Sequence, residues 1–439
     1  MRARAGAAGP AAGLGLLVAA VVLIGLNLRG PIVGVPPLLG RISGELGLTA
    51  AAAGLLTSLP LLSFAILSPF VGGVVRRLGI DRTLLVSLLL LIAAVSLRPW
   101  DGWVGLLLGT AVVGVAITLG NVVVPVLVRR DAPGHVSAVM ALSTSAYGVG
   151  QGLASFVAVP LADEVGWRGS IAAPALLILL ALAVWVVRMR RAALAGAGAG
   201  LAGPEGAAAD SAFPQHAAAA DARSAGHGAT AGAGARPAGT TAAATARTWS
   251  HVWRQGEAWW LAAFFGLQAS LFYAAATWIP TQLRETAGVS EVTAGTAVSV
   301  FHLVGIAGTL LVPAAIRVLG GASRVAAVVG ALWAVFFAGL ALAVDAWVVW
   351  AVVGGLTQGA GIGLGLTLIA MRPVDAAYGR YVSGMVQGVG YALAAVAPVL
   401  VGWLARSTGG WAAPTAVLAA AGLAMAVTGL RAGADRHIG

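Results

Sequence analysis

The chain has 439 residues, of which 59% are hydrophobic and only 9% charged, and its mean hydropathy is +0.93. A water-soluble domain carries about 25% charged residues, so this composition excludes one and points to an integral membrane protein. The net charge of +11 comes from 26 arginines against 15 acids with no lysine, and the absence of cysteine rules out disulfides and thiolate chemistry. A pI near 11.4 would suggest nucleic acid in a soluble protein, but here the arginines fall in short segments between apolar runs, where they set orientation.

About 20 apolar residues cross a bilayer as a helix. Counted this way, the runs predict twelve spans: 13–39, 49–75, 82–98, 103–128, 135–162 and 169–188, then 258–283, 292–316, 322–344, 346–371, 379–405 and 411–430. Arg2 and Arg4 before the first run resemble the start of a signal peptide, but the run is too long and too many others follow it.

The first span contains Leu26-Asn27-Leu28-Arg29-Gly30-Pro31 about halfway along. An arginine near the bilayer centre costs roughly 2.5–3.5 kcal/mol on insertion scales, which marks Arg29 as a candidate functional residue. No Asp or Glu lies at comparable depth in any run, so an anionic ligand could supply its counter-charge. Pro31 cannot donate to the carbonyl of Asn27, Gly30 adds freedom, and Pro36 and Pro37 repeat the defect. A helix broken at this depth is tolerated where it lines a cavity or is covered by protein.

Further along, Gly72-Gly73-Val74-Val75-Arg76-Arg77-Leu78-Gly79-Ile80-Asp81-Arg82 forms a basic turn between spans two and three. After span six, residues 190–257 are rich in Ala, Gly, Pro and Ser and show no amphipathic helical period until Trp249, so they read as a flexible linker. A coil of that length has a root-mean-square span of roughly 45 Å. His216, His227 and His251 lie in or beside it without a recurring ligand spacing, so no metal is expected. Trp249, Trp253, Trp259 and Trp260 suggest a helix at the membrane interface before span seven. The domains are therefore 1–189 and 258–439, two six-helix halves, joined by 190–257.

With the N-terminus inside, twenty arginines fall in cytoplasmic segments and five (Arg41, Arg98, Arg168, Arg284 and Arg406) fall outside, which predicts both termini cytoplasmic. The halves also resemble each other. A shift of 244 pairs Pro36 with Pro280, Asp131 with Asp375, Tyr147 with Tyr391 and Trp167 with Trp411. A shift of 241 pairs Gly54 with Gly295, Arg76 with Arg317 and Gly79 with Gly320. Such parallel duplication of a six-helix unit characterises the two halves of major facilitator transporters.

Several polar residues inside the spans form a candidate solute site. Gln387 and Tyr391 are four residues apart and share a helix face, and Tyr147 and Gln151 repeat that spacing in span five. Gln268 shares a face with Phe272, Tyr273 is adjacent, and Asn121 lies near the inner half of span four. His302 in span eight is the intramembrane histidine and the titratable candidate for coupling a proton. The glycines at 148, 150 and 152 and at 359, 361, 363 and 365 read as helix packing rather than a phosphate loop, since none follows a strand.

The basic turn Gly72 to Arg82, with Gly72, Arg76, Arg77, Gly79, Asp81 and Arg82, resembles the cytoplasmic gating-loop motif G-x-x-x-D-R-x-G-R-R of the major facilitator superfamily, with Arg76 where the motif has Asp. Asn27-Leu28-Arg29, Gly120-Asn121 through Pro125 to Arg130-Asp131, Gly266-Leu267-Gln268 with Phe272-Tyr273 and Trp278-Ile279-Pro280, and Ser383 through Tyr391 together resemble its cyanate permease and 2-nitroimidazole transporter family. The resemblance implies an all-α integral membrane protein of twelve transmembrane helices in two pseudo-symmetric six-helix halves. It also implies alternating access that moves a small polar or anionic solute: cyanate-like, a small carboxylate or a nitro-heterocycle. Expected substrate-binding residues are Arg29, Asn121, Tyr147, Gln151, Gln268, Tyr273, His302, Gln387 and Tyr391, with helix breaks at Gly30, Pro31, Pro36 and Pro280. The alternative is proton-coupled drug efflux, although span five lacks the Gly-Pro signature of such antiporters. A membrane-embedded enzyme would need a catalytic set, yet there is no HExxH, no GxSxG and no buried carboxylate pair. A transporter-like sensor would bind ligand without flux. No cofactor and no nucleic-acid partner are expected, and the protein is expected to act as a monomer in the cell membrane.

Overall fold

The computed structural model describes residues 10–199, 249–374 and 376–438 of the chain. Arg2, Arg4, Asp375 and most of the linker, with His216 and His227, lie outside the described residues. The described chain is almost entirely helical.

Ten of its helices are long and apolar enough to cross a membrane, and the bent pair Ala138–Ala172 and Pro174–Leu194 supplies the rest. That pair turns at Gly166, whose φ of 74° and ψ of 163° interrupt the helix Val136–Ala172. Ser170 Oγ donates to the Ala158 carbonyl at 2.7 Å. In a straight helix twelve residues would separate them by about 18 Å, so the chain reverses between them and forms spans 5 and 6. The described chain therefore has twelve spans in the predicted order.

Spans 2, 3 and 4 are Ala50–Leu78, Ile80–Leu97 and Gly102–Asp131. Spans 7 to 12 are Gly256–Ala287, Glu291–Leu319, Ala322–Leu342, Trp347–Met371, Ala376–Ser407 and Ala412–Ala432. The tryptophans before span 7 make a short helix, Trp249–Val252, and a turn in which Trp259 Nε1 donates to the Trp253 carbonyl at 2.9 Å. The helix expected before span 7 is thus four residues long, and Trp259 and Trp260 belong to span 7 itself.

Span 1 is broken, as its prolines predict. It consists of Pro10–Asn27, Gly30–Val33, a 3-10 turn at Pro36–Leu38 and Leu39–Leu46. In a regular helix the carbonyls of Ile32 and Val33 would accept from residues 36 and 37, but both are prolines without an N–H. Val35 N turns to Ile32 O at 3.4 Å, which strips Pro31 O of its own donor. Side chains from neighbouring spans fill the gaps: Arg98 Nη2 donates to Pro31 O at 2.8 Å and Ser155 Oγ to Val33 O at 3.2 Å. Pro280, expected as a further break, instead lies inside the continuous helix of span 7. A single proline removes one donor, whereas span 1 concentrates three prolines with two glycines.

The duplication is visible in local chemistry. Trp167 Nε1 donates to Glu45 at 2.5 Å in the first half, and Trp411 Nε1 donates to Glu285 at 2.7 Å in the second. Thr49 caps span 2 through Ala52 N at 3.2 Å, and Ser290, 241 positions later, caps span 8 through Thr293 N at 3.1 Å. Within the second half, spans 8 and 10 approach closely at Gly305 and Gly359: a side chain on Gly359 would strike the Gly305 carbonyl, and one on Gly305 would strike the Gln358 amide. The outer faces carry rows such as Ile66 and Phe70, both more than half exposed, as lipid-facing surfaces require.

Candidate functional site

The break in span 1 places Arg29 at the N-cap of the short Gly30–Val33 helix, with φ −127° and ψ −29°. Its guanidinium leaves the helix axis and points across the bundle, where Nη1 donates to the hydroxyl of Tyr273 in span 7. The same guanidinium lies 5.6 Å from the ring centre of Phe64 in span 2, a cation–π contact. The phenols of Tyr147 and Tyr391 are close enough to interact with its charge. Tyr391 packs edge-on to Phe64 at 5.5 Å and to Phe265 at 5.6 Å, so aromatic rings from both halves wall the cation.

A relation in the numbering underlies this cluster. Arg29 and Tyr273 are 244 residues apart, and so are Tyr147 and Tyr391. The site is therefore built from two pairs of repeat-equivalent positions, one pair on spans 1 and 7 and the other on spans 5 and 11, which meet where the halves face each other. A ligand in such a place touches both halves, as a midplane site at a repeat interface must.

The other candidate residues divide into two groups. Asn121, Gln151 and Gln387 are half-buried near the same level. Gly120 abuts Leu28, Gly150 abuts the Leu26 backbone, and Gly388 faces the Ala65 carbonyl. Gln387 Nε2 donates to Ser383 Oγ at 2.7 Å. Gln268 and His302 are instead buried in the second half. Gln268 accepts from Trp333 Nε1 at 2.8 Å and donates to the Gln358 carbonyl at 3.2 Å, so both ends of its amide are occupied. The His302 ring packs on Phe301 at 5.4 Å and Phe272 at 5.8 Å, and neither ring nitrogen has a hydrogen-bond partner. Phe272 in turn contacts Tyr273 at 4.7 Å, which connects the histidine to the Arg29 cluster.

Arg98, expected in a loop outside the membrane, is 2% exposed. It reaches inward to Pro31, two residues past Arg29, while its Nε and Nη1 make no hydrogen bond. Two arginines thus converge on one broken segment. Nothing in the sequence distinguishes Arg98 from the other arginines at span ends. Phe64 and Phe265 sit in apolar runs and carry no signal either. The Arg29–Tyr273 pairing is accessible through the 244-residue shift.

Around this centre the halves meet toward one end. Thr277 Oγ1 donates to Thr57 Oγ1 at 3.0 Å, Ser299 Oγ to Gly152 O at 2.8 Å and Arg41 Nε to Glu291 at 2.7 Å, each bond crossing between halves. At the opposite end the basic turn Gly72 to Arg82 bonds within its own half. Arg130 grips Asp81 through two bonds of 2.7 and 2.9 Å, Arg188 reaches both Asp81 and Asp131, and Trp185 Nε1 donates to Asp81 O at 3.2 Å. Gly79 makes the turn with φ 80°, while Arg76, Arg77 and Arg82 are exposed and Gly72 is half-buried. The carboxylate missing at Arg76 is thus not replaced at that position; Asp81 gathers the arginines instead.

The sequence profile of the Major Facilitator Superfamily matches residues 16–371. The chain is 34% identical over 430 residues to an uncharacterized transporter, YycB, of Bacillus subtilis, covering 96% of this chain and 94% of that protein. It is 33% identical over 424 residues to a 2-nitroimidazole transporter of Escherichia coli, covering 96% of each, and 25% identical over 401 residues to the cyanate transport protein CynX of the same organism, covering 89% of this chain and 90% of that one. Among solved structures, a point mutant of the nucleoside transporter NupG superposes with a TM-score of 0.70 at 12% identity, covering 94% of this chain and 99% of that one.

Proposed function

The chain belongs to the Major Facilitator Superfamily, a multi-pass membrane transporter of a small solute, and from that premise we propose that it carries a small polar or anionic solute by alternating access, with Arg29 holding the solute. The observation that carries this reading is the Arg29 cluster. A guanidinium stands at the meeting point of the halves, walled by aromatic rings and hydroxyls, with no carboxylate beside it among the described residues. A guanidinium offers a planar fork suited to carboxylate-like groups. The aromatic walls suit a flat solute, so a cyanate-like anion, a small carboxylate and a nitro-heterocycle all fit, and two relatives are named as transporters of cyanate and of 2-nitroimidazole.

Half-buried Asn121, Tyr147, Gln151, Gln387 and Tyr391 line the solute's surroundings in this reading. Gln268 supports the second half from behind. The halves 1–189 and 258–439 rock about the site, and 190–257 tethers them. The arginine asymmetry supports cytoplasmic termini in this reading, and the protein acts as a monomer in the cell membrane. In that orientation the end at which Thr57 and Thr277 bond the halves together is the outer one. A second reading, proton-coupled efflux, is favoured by the unpartnered His302 ring, three contacts from Arg29 through Phe272 and Tyr273.

Thermal stabilisation of wild-type and Arg29→Ala protein against a panel of small anions and neutral nitro-heterocycles tests the assignment, because ligands of the folded state raise its apparent stability. Anions that stabilise wild type and not the variant support Arg29 as the clamp. Neutral ligands that stabilise both proteins equally would assign recognition to the Gln and Tyr faces.

A further inference from the structure

The environment of Arg29 also bears on the mode of transport. Every group that touches the guanidinium is neutral: the Tyr273 hydroxyl, the Phe64 ring and the nearby phenols of Tyr147 and Tyr391. The described Asp and Glu residues all lie in loops, in the C-terminal tail or within a few residues of a helix end, the nearest approach to a span interior being Asp163 and Glu164 just before the Gly166 turn. Arg98, the second cation on the broken segment, is bonded to a carbonyl and likewise lacks a carboxylate. Among the described residues the centre therefore holds two arginines and no acid.

To change its exposed side, a carrier must pass through a state in which the centre is sealed from water at both ends. A loaded carrier seals in a guanidinium paired with an anion. An unloaded one seals in a guanidinium facing hydroxyls, and a buried charge without a counter-charge is costly. Tyr273 deepens the contrast, since its hydroxyl accepts from Arg29 across the halves but brings no charge.

We propose that this transporter is an anion exchanger: the halves reorient readily with an anion on Arg29 and slowly without one, so that inward movement of one anion is tied to outward movement of another. The proposal rests on the reading of Arg29 as the solute clamp. One charge-assisted bond separating the loaded from the unloaded sealed state corresponds to about tenfold to a hundredfold in rate. Coupling to protons through a carboxylate has no candidate at this depth among the described residues, which leaves His302 as the group a proton-driven mechanism would need.

The test uses the full chain in proteoliposomes preloaded with radiolabelled cyanate and held at zero membrane potential, with protein-free vesicles as the leak control. Efflux is followed into medium with or without unlabelled cyanate. Exchange predicts that external cyanate speeds protein-dependent efflux by about tenfold or more, and that Arg29→Gln removes the acceleration. Equal efflux into both media would overturn the proposal while leaving Arg29 as a uniporter's clamp. A pH gradient that raises efflux into cyanate-free medium to the exchange rate would overturn it in favour of proton coupling. Acceleration that survives in Arg29→Gln would detach exchange from the arginine and overturn it as well. Absence of protein-dependent efflux in either medium would overturn the clamp reading for cyanate together with this proposal.

Discussion

Glu291→Gln shifts the balance between the two faces of the carrier, and the structure sets the size of the shift. Arg41 at the end of span 1 holds Glu291 of span 8 with one arm at 2.7 Å and Asp163 of span 5 with another at 2.6 Å. Glu291 has its own second partner, Arg284, at 3.0 Å. When that end opens, Arg41 keeps Asp163 and Glu291 keeps Arg284, so neither charge is stranded. The cost of opening is therefore one half-exposed charged bond, with side chains 30% and 15% exposed, rather than a broken buried pair. Such a bond lies between an exposed ion pair and a buried charged hydrogen bond, about 1 kcal/mol, or roughly fivefold in population. The chain has no cysteine, so Thr57→Cys, at a site 2% exposed and bonded to Thr277 across the closed end, gives a single reporter thiol. A hydrophilic maleimide should label Thr57→Cys/Glu291→Gln about fivefold faster than Thr57→Cys alone. An unchanged rate would refute the role of this pair as a latch between the halves.

Other residues give further predictions. Asp81→Asn weakens the grip of Arg130 and Arg188 on the turn between spans 2 and 3 and should lower stability by about 1–2 kcal/mol, read as a fall in melting temperature; an unchanged melt would mean the network is solvated surface charge. Gly359→Ala drives a methyl into the Gly305 carbonyl and should cost about 1–3 kcal/mol with reduced yield of folded protein, whereas normal yield and melting would contradict the close approach of spans 8 and 10. Arg98→Ala leaves the Pro31 carbonyl without its donor beside Arg29 and should raise KM for anion uptake several-fold with membrane insertion intact, while an unaltered KM would show that the cap does not position Arg29.

The sequence is most informative where composition and chain geometry act alone. Apolar run length places the spans, because a helix must cover a fixed hydrocarbon thickness. Three prolines without N–H groups foretell the break in span 1, and the repeat relates Tyr147 to Tyr391. What the sequence conceals depends on contacts between distant spans. Arg98 resembles any arginine at a span end until span 1 is seen to expose a carbonyl to it. Gln268 sits on a helix face like Gln387, yet its amide is occupied by Trp333 and the Gln358 carbonyl. Phe64 is one apolar residue among many until Arg29 stacks against it. The reversal at Gly166 falls within the gap that hydropathy leaves between 162 and 169, but the backbone conformation that makes it is one that periodicity does not report.

The central claim, that Arg29 is the charge that holds a transported anion, is tested most directly by equilibrium binding of radiolabelled cyanate to purified wild-type and Arg29→Gln protein, with melting curves confirming that both are folded. Saturable binding to wild type, displaced by other small anions and lost in Arg29→Gln, is the predicted result. Undiminished binding in Arg29→Gln would contradict the account.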